Sequence, residues 1–569
     1  MARVNSLTGS HVKARYGIVR LLEIIPGLAT WLTVFLPIIL AIYQPVVVAY
    51  FIIAYDLYWL LKSFRMSAAL LVGHRRLRIQ THIDWTARLQ RLQAASEQTI
   101  DDLAAEIEAD KSRLGWRWMV SRRLRRQHEL MNQKIVELDN LRNYVSSKRI
   151  TRPDDVIHVV ILATYNETLE TLRPSLRALS NVHYDLSKIW FVVAYEERGG
   201  EQDKARVMTL KEEFGSRFGK FLLYQHPDGV VGEVKGKGAN ITHAGRQVLQ
   251  LIQNSKIDIK DVIVTTLDAD HRPDPAYFQH LTYAFITSDT PKLYAYQPIP
   301  MFFNNIWDVP APMRVLATGN SFWVIINSVR PHLLRNFAAH AQPLEALIET
   351  DFWSVNTIVE DGHQFWRSFF RFDGQYRVEP IYAPIYQDAT LASGYFRTYK
   401  NQYLQLQRWA YGVSDIPYVA IQSARHPKIP LGSRIVNMWR LFEGHYSWAT
   451  APLILTFVAW LPLYLNPTFK YTVLAHQLPI IASQIMTIAL LGMFITIWLS
   501  ILSLPQRPKH VKKIKNVVMI LQWVLLPVVA LSFGALAAID AQTRLMLGRY
   551  LGFRVTEKAT KHIDAETTA

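Results

Sequence analysis

The stretch DVIVTTLDAD, residues 261–270, decides the fold. Its β-branched, apolar run is the signature of a buried parallel strand, and it stops at Asp268 and Asp270 with one residue between them. In an open α/β sheet, ligands bind beyond the carboxyl ends of the strands, so this strand delivers both carboxylates to that edge. Two carboxylates so spaced can share a hard divalent cation whose other ligands are phosphate oxygens and water, with His271 a weaker third candidate. An ordinary helix N-cap is the alternative use of the same residues.

Working outward, DVIHVVILA (residues 155–163), IWFVVAY (189–195) and KFLLYQ (220–225) read as three more buried parallel strands. The segments between them are long enough for crossover helices, which predicts a doubly wound sheet beginning just after Pro153. Where the first strand ends, ATYNE (163–167) exposes Tyr165 to stack on a base and Asn166 and Glu167 to hydrogen-bond it, although such residues are also common where a strand gives way to a helix. GEVKGKGAN (232–240) interleaves three glycines with Lys235 and Lys237 ahead of a helix, which suits close approach to a phosphate or, equally, a solvated loop. It fits neither the P-loop nor the dinucleotide fingerprint, which weighs against nucleotide kinases and dehydrogenases. NTIVEDGHQFW (356–366) puts Glu360 and Asp361 at a helix start, where one of them can act as general base and where the macrodipole alone would also favour acids. In YLQLQRWAYG (403–412), Gln405, Arg408 and Trp409 project from one helical face, offering an amide, a cation and a flat aromatic surface.

The flanks are of another character. Half of the 569 residues are apolar and 19% are charged, and the apolar residues gather at the two ends. The formal net charge of +17 can mark a nucleic-acid binder, but beside membrane spans it reads as positive charge in cytoplasmic loops, so no nucleic-acid partner is expected. No cysteine is present, which removes disulfides and thiolate chemistry. Residues 24–42 and 45–61 form an apolar hairpin, each arm able to cross roughly 30 Å of hydrocarbon. Lys13, Arg15 and Arg20 before it, and Lys62, Arg65, Arg75, Arg76 and Arg78 after it, place both ends in the cytoplasm. Asp56, inside the second arm, reads as a carboxylate reaching water or a cation, or as polar lining. Residues 83–145 lack proline and space Leu124, Met131, Leu138 and Val145 seven apart, a helix-pair or short coiled-coil pattern, with Arg122, Arg123, Arg125 and Arg126 as a solvated face. After Trp409 come two interfacial helices (397–423 and 432–443) and apolar runs at 446–465, 478–504 and 517–539, the last two joined by the basic loop PQRPKHVKKIK (505–515).

Taken in order, ATYNE, LDAD, VED and QLQRW resemble the membrane-integrated family 2 glycosyltransferases, the group that contains cellulose, chitin and hyaluronan synthases. FRVTEKA, residues 553–559, is similar to the F-x-V-T-x-K-G gating loop of bacterial cellulose synthases, with Ala559 in place of the glycine. The resemblance implies an α/β GT-A (Rossmann-like) catalytic domain inserted between transmembrane helices, with a helical or coiled segment before it. It implies an inverting, processive transfer from a nucleotide sugar, usually a UDP-sugar, to a glycan passed through the membrane, in an integral plasma- or inner-membrane protein with a cytoplasmic catalytic domain. By position, Asp268 and Asp270 would hold the Mg2+ or Mn2+ diphosphate, Thr164, Tyr165 and Glu167 would meet the nucleoside, and Asp361 beside Glu360 would be the base. Gln405 and Arg408, with Lys235 and Lys237, would bind the diphosphate, Trp409 would stack on the acceptor, and Thr556 and Lys558 would close over the donor.

Three departures accompany the resemblance. Val359 replaces the threonine of T-E-D, Glu196 or Glu197 stands for the aspartate after the second strand, and KGKGAN replaces K-A-x-x-L-N. The implied division is a transmembrane hairpin (1–65), a helical segment (66–150), the transferase domain (151–411), interfacial helices (412–445), a transmembrane region (446–540) and a terminal segment (541–569). Pro527 and the basic residues Arg544, Arg549, Arg554, Lys558 and Lys561 favour four full spans, with 517–539 re-entrant or interfacial. Membrane lipids and a glycan or lipid-linked acceptor are the expected partners, and no export partner is named by any motif. The rival readings are single transfer to a lipid or short glycan, and an inactive export scaffold, against which Asp268, Asp270 and Asp361 all count.

Overall fold

The computed structural model describes residues 17–114, 122–147 and 151–552. Eight strands form one sheet: β1 (Ile157–Thr164), β2 (Ile189–Glu196), β3 (Lys220–His226), β4 (Val262–Asp268), β5 (Arg272–Pro273), β6 (Tyr294–Met301), β7 (Ala341–Pro343) and β8 (Arg377–Tyr386). Their order is β3-β2-β1-β4-β7-β6-β8-β5. The four strands expected from the sequence are parallel neighbours, and the register sets Ala163 of β1 beside Asp268 of β4, so the ATYNE and LDAD motifs leave the sheet at one edge. Alternate residues of β1 feed two cores, Val160 and Leu162 on one face and Val159 and Ile161 on the other, which is why the run is apolar throughout.

Beyond β4 the sheet is not uniformly parallel. Short β7 lies antiparallel to β4 and β6, and β6 pairs in parallel with β8 through a register shift at Pro298/Ile299. This is the Rossmann-like α/β domain between apolar helices that the GT-A expectation described, extended by a mixed half that the sequence did not announce.

Among the described residues, five helical runs are long and apolar enough to cross a membrane: Ile18–Tyr43, Pro45–Gln80, Leu431–Leu465, Val473–Ser503 and Ile514–Met546. The second continues well past residue 65 and docks on the sheet domain, where a Cβ at Gly73 would meet the Ile325 side chain and carbonyl oxygen at 2.6 Å. Residues 432–443 are the start of the third run rather than a separate helix. In the helical segment, Glu97–Leu114 pairs with Arg122–Ser146; Met131, Leu138 and Leu141 are buried but Val145 is exposed, so the seam turns at Leu138 onto Leu141. The segment is fastened to the sheet domain by Trp85 stacked on His280 at 3.8 Å and by Asn140 donating to the Tyr283 hydroxyl at 3.2 Å.

Pro527 does not break the fifth run. A 3-10 turn (Gln522–Leu525) and a π turn (Ala530–Ala535) absorb it, and the chain stays helical from Ile514 to Met546. Gln522 accepts from Arg314 of the sheet domain, Phe533 packs on Tyr399 at 6.0 Å, and at the far end the Leu545 carbonyl accepts from Arg20 at 2.8 Å. Arg20 opens the first apolar helix, so the far end of the fifth run meets the start of the first.

Valine at Gly73 would push into the Ile325 backbone, and overpacking of this kind destabilises by about 1–3 kcal/mol. Gly73→Val should therefore lower the thermal midpoint of the detergent-solubilised protein; an unchanged midpoint would mean that the second apolar helix is not clamped to the domain.

Candidate functional site

At the end of β1, Asn166 adopts a left-handed backbone (φ 63°), a conformation asparagine tolerates, and its N–H donates to Asp203 at 2.9 Å. Glu167 folds back to accept from the Thr164 hydroxyl at 2.9 Å and from the Tyr165 N–H, so it shapes the turn that presents the Tyr165 ring. Over that ring, at 3.8 Å from its centroid, lies the guanidinium of Arg198, held by both oxygens of buried Glu196. Glu197 instead accepts from the Asp228 N–H at 2.9 Å. Arg198 was not singled out from sequence; only the burial of Glu196 at a strand end, which demands a cation, could have pointed to it.

The two lysines of the glycine-rich loop part company. Lys235 is exposed and pairs with Asp228 at 2.7 Å. Lys237 is only 9% exposed and places its ammonium 2.8 Å from Asp268 and 3.6 Å from Asp361, while donating to the Ala338 carbonyl at 3.1 Å. Burial works against its charge, but Asp268, Asp361 and Glu360 more than offset that, and its pKa stands above the ordinary lysine value. Gly238 makes the approach possible: a Cβ there would sit 2.5 Å from the Ser354 carbonyl oxygen and 3.1 Å from Glu360.

The helix Glu360–Arg371 supplies the other wall. Glu360 is buried, and burial first, then the neighbouring Asp361 charge, push its pKa up to about 8. Asp361 is the partly exposed member, and its Oδ1 is buried with no hydrogen-bond partner among the described residues, 3.7 Å from His340 Nδ1. The Trp353 indole N–H can only donate, so His340 Nε2 accepts it at 3.0 Å and Nδ1 carries the proton to the Phe337 carbonyl at 2.7 Å. Burial holds the imidazole pKa low, and it stands beside Asp361 as a neutral ring.

Asp268 and Asp270 do different things. Asp268 is 34% exposed at the sheet edge, with His271 3.6 Å from its second oxygen. Asp270 is buried and spends Oδ2 on the Asp388 N–H at 2.8 Å, fixing the segment that follows β8. Two residues on, the Thr390 hydroxyl donates to Gln405 at 3.0 Å. In the helix Tyr395–Ala410, Gln405 thus faces the site, Arg408 acts electrostatically on Glu360, and Trp409 packs against Phe302 at 6.2 Å. Tyr403 and Gln407 both bond Asp540 of the fifth apolar run. Thr556 and Lys558, with residues 553–559, lie outside the described residues.

Among the described residues no group of three or more histidine or acidic side chains is poised to hold a metal. The donor chemistry suits a hard cation through Asp268, whose carboxylate is accessible, better than through Asp270, which is already engaged below the surface.

No protein-family model and no curated protein matches the chain. Among solved structures, it resembles a mannosyltransferase from Pyrobaculum calidifontis in complex with GDP-Man and Mn2+, at 14% identity over 80% of this chain and 99% of that one, with a TM-score of 0.37. It also resembles residues 1–349 of S. aureus TarS in complex with UDP, at 12% identity over 70% and 94% of the two chains, with a TM-score of 0.33.

Glu360 gives the site a pH signature. Its pKa is raised on folding to about 8, so between the ordinary carboxylate range and pH 8 the folded chain keeps a proton that the unfolded chain has lost. Stability should then fall as pH rises through that window, with a slope of at most about 1.4 kcal/mol per pH unit. Glu360→Gln should flatten the dependence in pH-resolved thermal unfolding; identical slopes for both proteins would contradict the buried, protonated carboxyl.

Proposed function

We propose that the protein is a membrane-embedded glycosyltransferase that takes a nucleotide sugar, most simply a UDP-sugar, and transfers the sugar with inversion to a growing glycan that leaves between its apolar helices. The observation that carries the reading is the Lys237 ammonium joining Asp268, at the end of β4, to Asp361, at the start of the next catalytic helix. A phosphate-facing carboxylate, a buried cation and a base meet in one place. Tyr165 under Arg198 offers a flat, cationic platform for a nucleobase, with Thr164, Glu167 and Glu196 holding its shape.

In this reading Asp361 accepts the proton of the attacking acceptor hydroxyl at Oδ1, which no hydrogen bond among the described residues engages and which Lys237 faces at 3.6 Å. Lys237 and Arg408 lie where the departing diphosphate gains charge, and Gln405 orients it. A bound Mg2+ or Mn2+, held by Asp268 with Asp270 beneath it, would add Lewis-acid stabilisation of that leaving group. Trp409, backed by Phe302, presents a ring for the acceptor sugar and so fixes the hydroxyl before reaction. Neutral His340 adds no further cation beside Asp361, which Lys237 already faces at 3.6 Å. Basic residues Lys62, Arg65, Arg75, Arg76 and Arg78 run from the membrane towards the sheet domain, which supports a cytoplasmic catalytic domain.

The test is nucleoside diphosphate release by the purified protein from a panel of UDP- and GDP-sugars with Mg2+ or Mn2+, with the product sized. Asp361→Asn should lower turnover by roughly 10²–10⁴ while nucleotide binding survives, and Trp409→Ala should raise the acceptor KM. A ladder of long products supports polymerisation, whereas a single-sugar adduct would replace it with one-step transfer. No release from any donor would remove the enzymatic reading.

A further inference from the structure

A second cluster of charge lies where the helix Pro45–Gln80, the helix Leu431–Phe457 and the loop after the helix Ala311–Ser328 converge. It contains Arg65, Arg330, His332, Arg335 and Arg440. Arg335 is packed between rings, its guanidinium 4.1 Å from the Phe365 centroid and 5.0 Å from that of Trp366. It donates to the Leu334 carbonyl at 2.8 Å and to Asn437 of the apolar helix at 3.2 Å. The Nε–H of Arg330 is buried and has no acceptor among the described residues. No carboxylate pairs with any of the five among the described residues, and Glu443, the acid in the adjoining turn, is taken by Lys62 at 2.7 Å and by the Tyr58 hydroxyl at 3.0 Å.

The Lys62–Glu443 contact also fixes the depth. Arg65 follows Lys62 by three residues on one helix and Arg440 precedes Glu443 by three on the other, so both lie one turn towards the sheet domain from that pair. Lys62 sits 4.4 Å from the Trp59 ring, and Trp439, Ile435 and Leu61 are exposed on the outer surface, an arrangement typical of a membrane–water boundary. Electrostatics agree with the geometry. Burial, then Arg440, pulls the Arg335 pKa down to about 9, and burial, then Arg440, Arg330 and Arg335, lowers that of His332. Basic residues at a cytoplasmic boundary are ordinary when each reaches water alone. Arg65 and His332 are exposed and fit that description, but the partly buried, ring-packed Arg335, crowded by other cations with no acid to balance them among the described residues, does not, because uncompensated charge away from water is destabilising.

We propose that these five cations form a binding site for the phosphate headgroup of an anionic lipid in the cytoplasmic leaflet, seated between the second and third apolar helices. The phosphate would accept from the guanidinium groups of the cluster and neutralise it. The loop that carries Arg330 and Arg335 continues to Ala338 and His340, which touch Lys237 and Asp361, so an occupied headgroup site steadies one wall of the donor site.

The test titrates the full chain in neutral detergent with short-chain phosphatidylglycerol, short-chain phosphatidylcholine or inorganic phosphate, reading the dissociation constant from thermal stabilisation. Phosphatidylglycerol should bind more tightly than either of the others. Arg330→Ala and Arg440→Ala, which leave the ring-packed Arg335 in place, should each weaken it by roughly fivefold. Lys204→Ala, on an exposed helix of the sheet domain, should leave it unchanged. Equal binding of phosphatidylcholine, equal binding of inorganic phosphate, or full affinity in both arginine variants would overturn the proposal.

Discussion

A lysine ammonium removed from water has to be surrounded by oxygen, and the burial of Lys237 imposes that demand on the whole catalytic half of the molecule. Its partners come from three distant places: Asp268 from the end of β4, Asp361 from the start of a helix, and the Ala338 carbonyl from the segment entering β7. Each must arrive within a few ångströms of one nitrogen. The inserted antiparallel β7 brings the 338–340 segment beside β4, and the missing side chain at Gly238 lets the lysine helix sit against Ser354 and Glu360. The charge that fixes the packing is also the charge that would face a departing diphosphate in the proposed transfer.

The helix Tyr395–Ala410 carries this arrangement to the membrane. Its one face meets the site through Gln405, Arg408 and Trp409, and its other is pinned by Tyr403 and Gln407 to Asp540. Asp540 belongs to the helical run whose end is held by Arg20 at the start of the first apolar helix. The proposed donor site, the proposed acceptor platform and the apolar helices are therefore joined through one helix.

Much of this was legible in the sequence where one residue type had one use. Four apolar runs became four parallel strands, and Asp268 at the end of β4 stood at the sheet edge as expected. The mixed half was hidden by chemistry that disguises strands: β6 contains Pro298 and Pro300, β8 contains Pro380 and Pro384, and β7 is three residues long. Lys235 and Lys237 were indistinguishable because a loop has no periodicity, and only the fold turns one to solvent and the other inward. Asp270 read as a twin of Asp268, yet alternate positions past a strand end point to different depths, and one became a structural acceptor. Arg198 on Tyr165 and the unbalanced cations around Arg335 are contacts across long stretches of chain, for which no spacing gives notice.

The central claim is that Lys237 and Asp361 act as one unit at the donor site. A double-mutant cycle on nucleoside diphosphate release, using Lys237→Met, Asp361→Asn and the pair, measures that directly. Dependence predicts a coupling of about 0.5–3 kcal/mol, with the double variant no slower than the worse single one. Losses that simply multiply, leaving coupling below about 0.5 kcal/mol, would contradict the account.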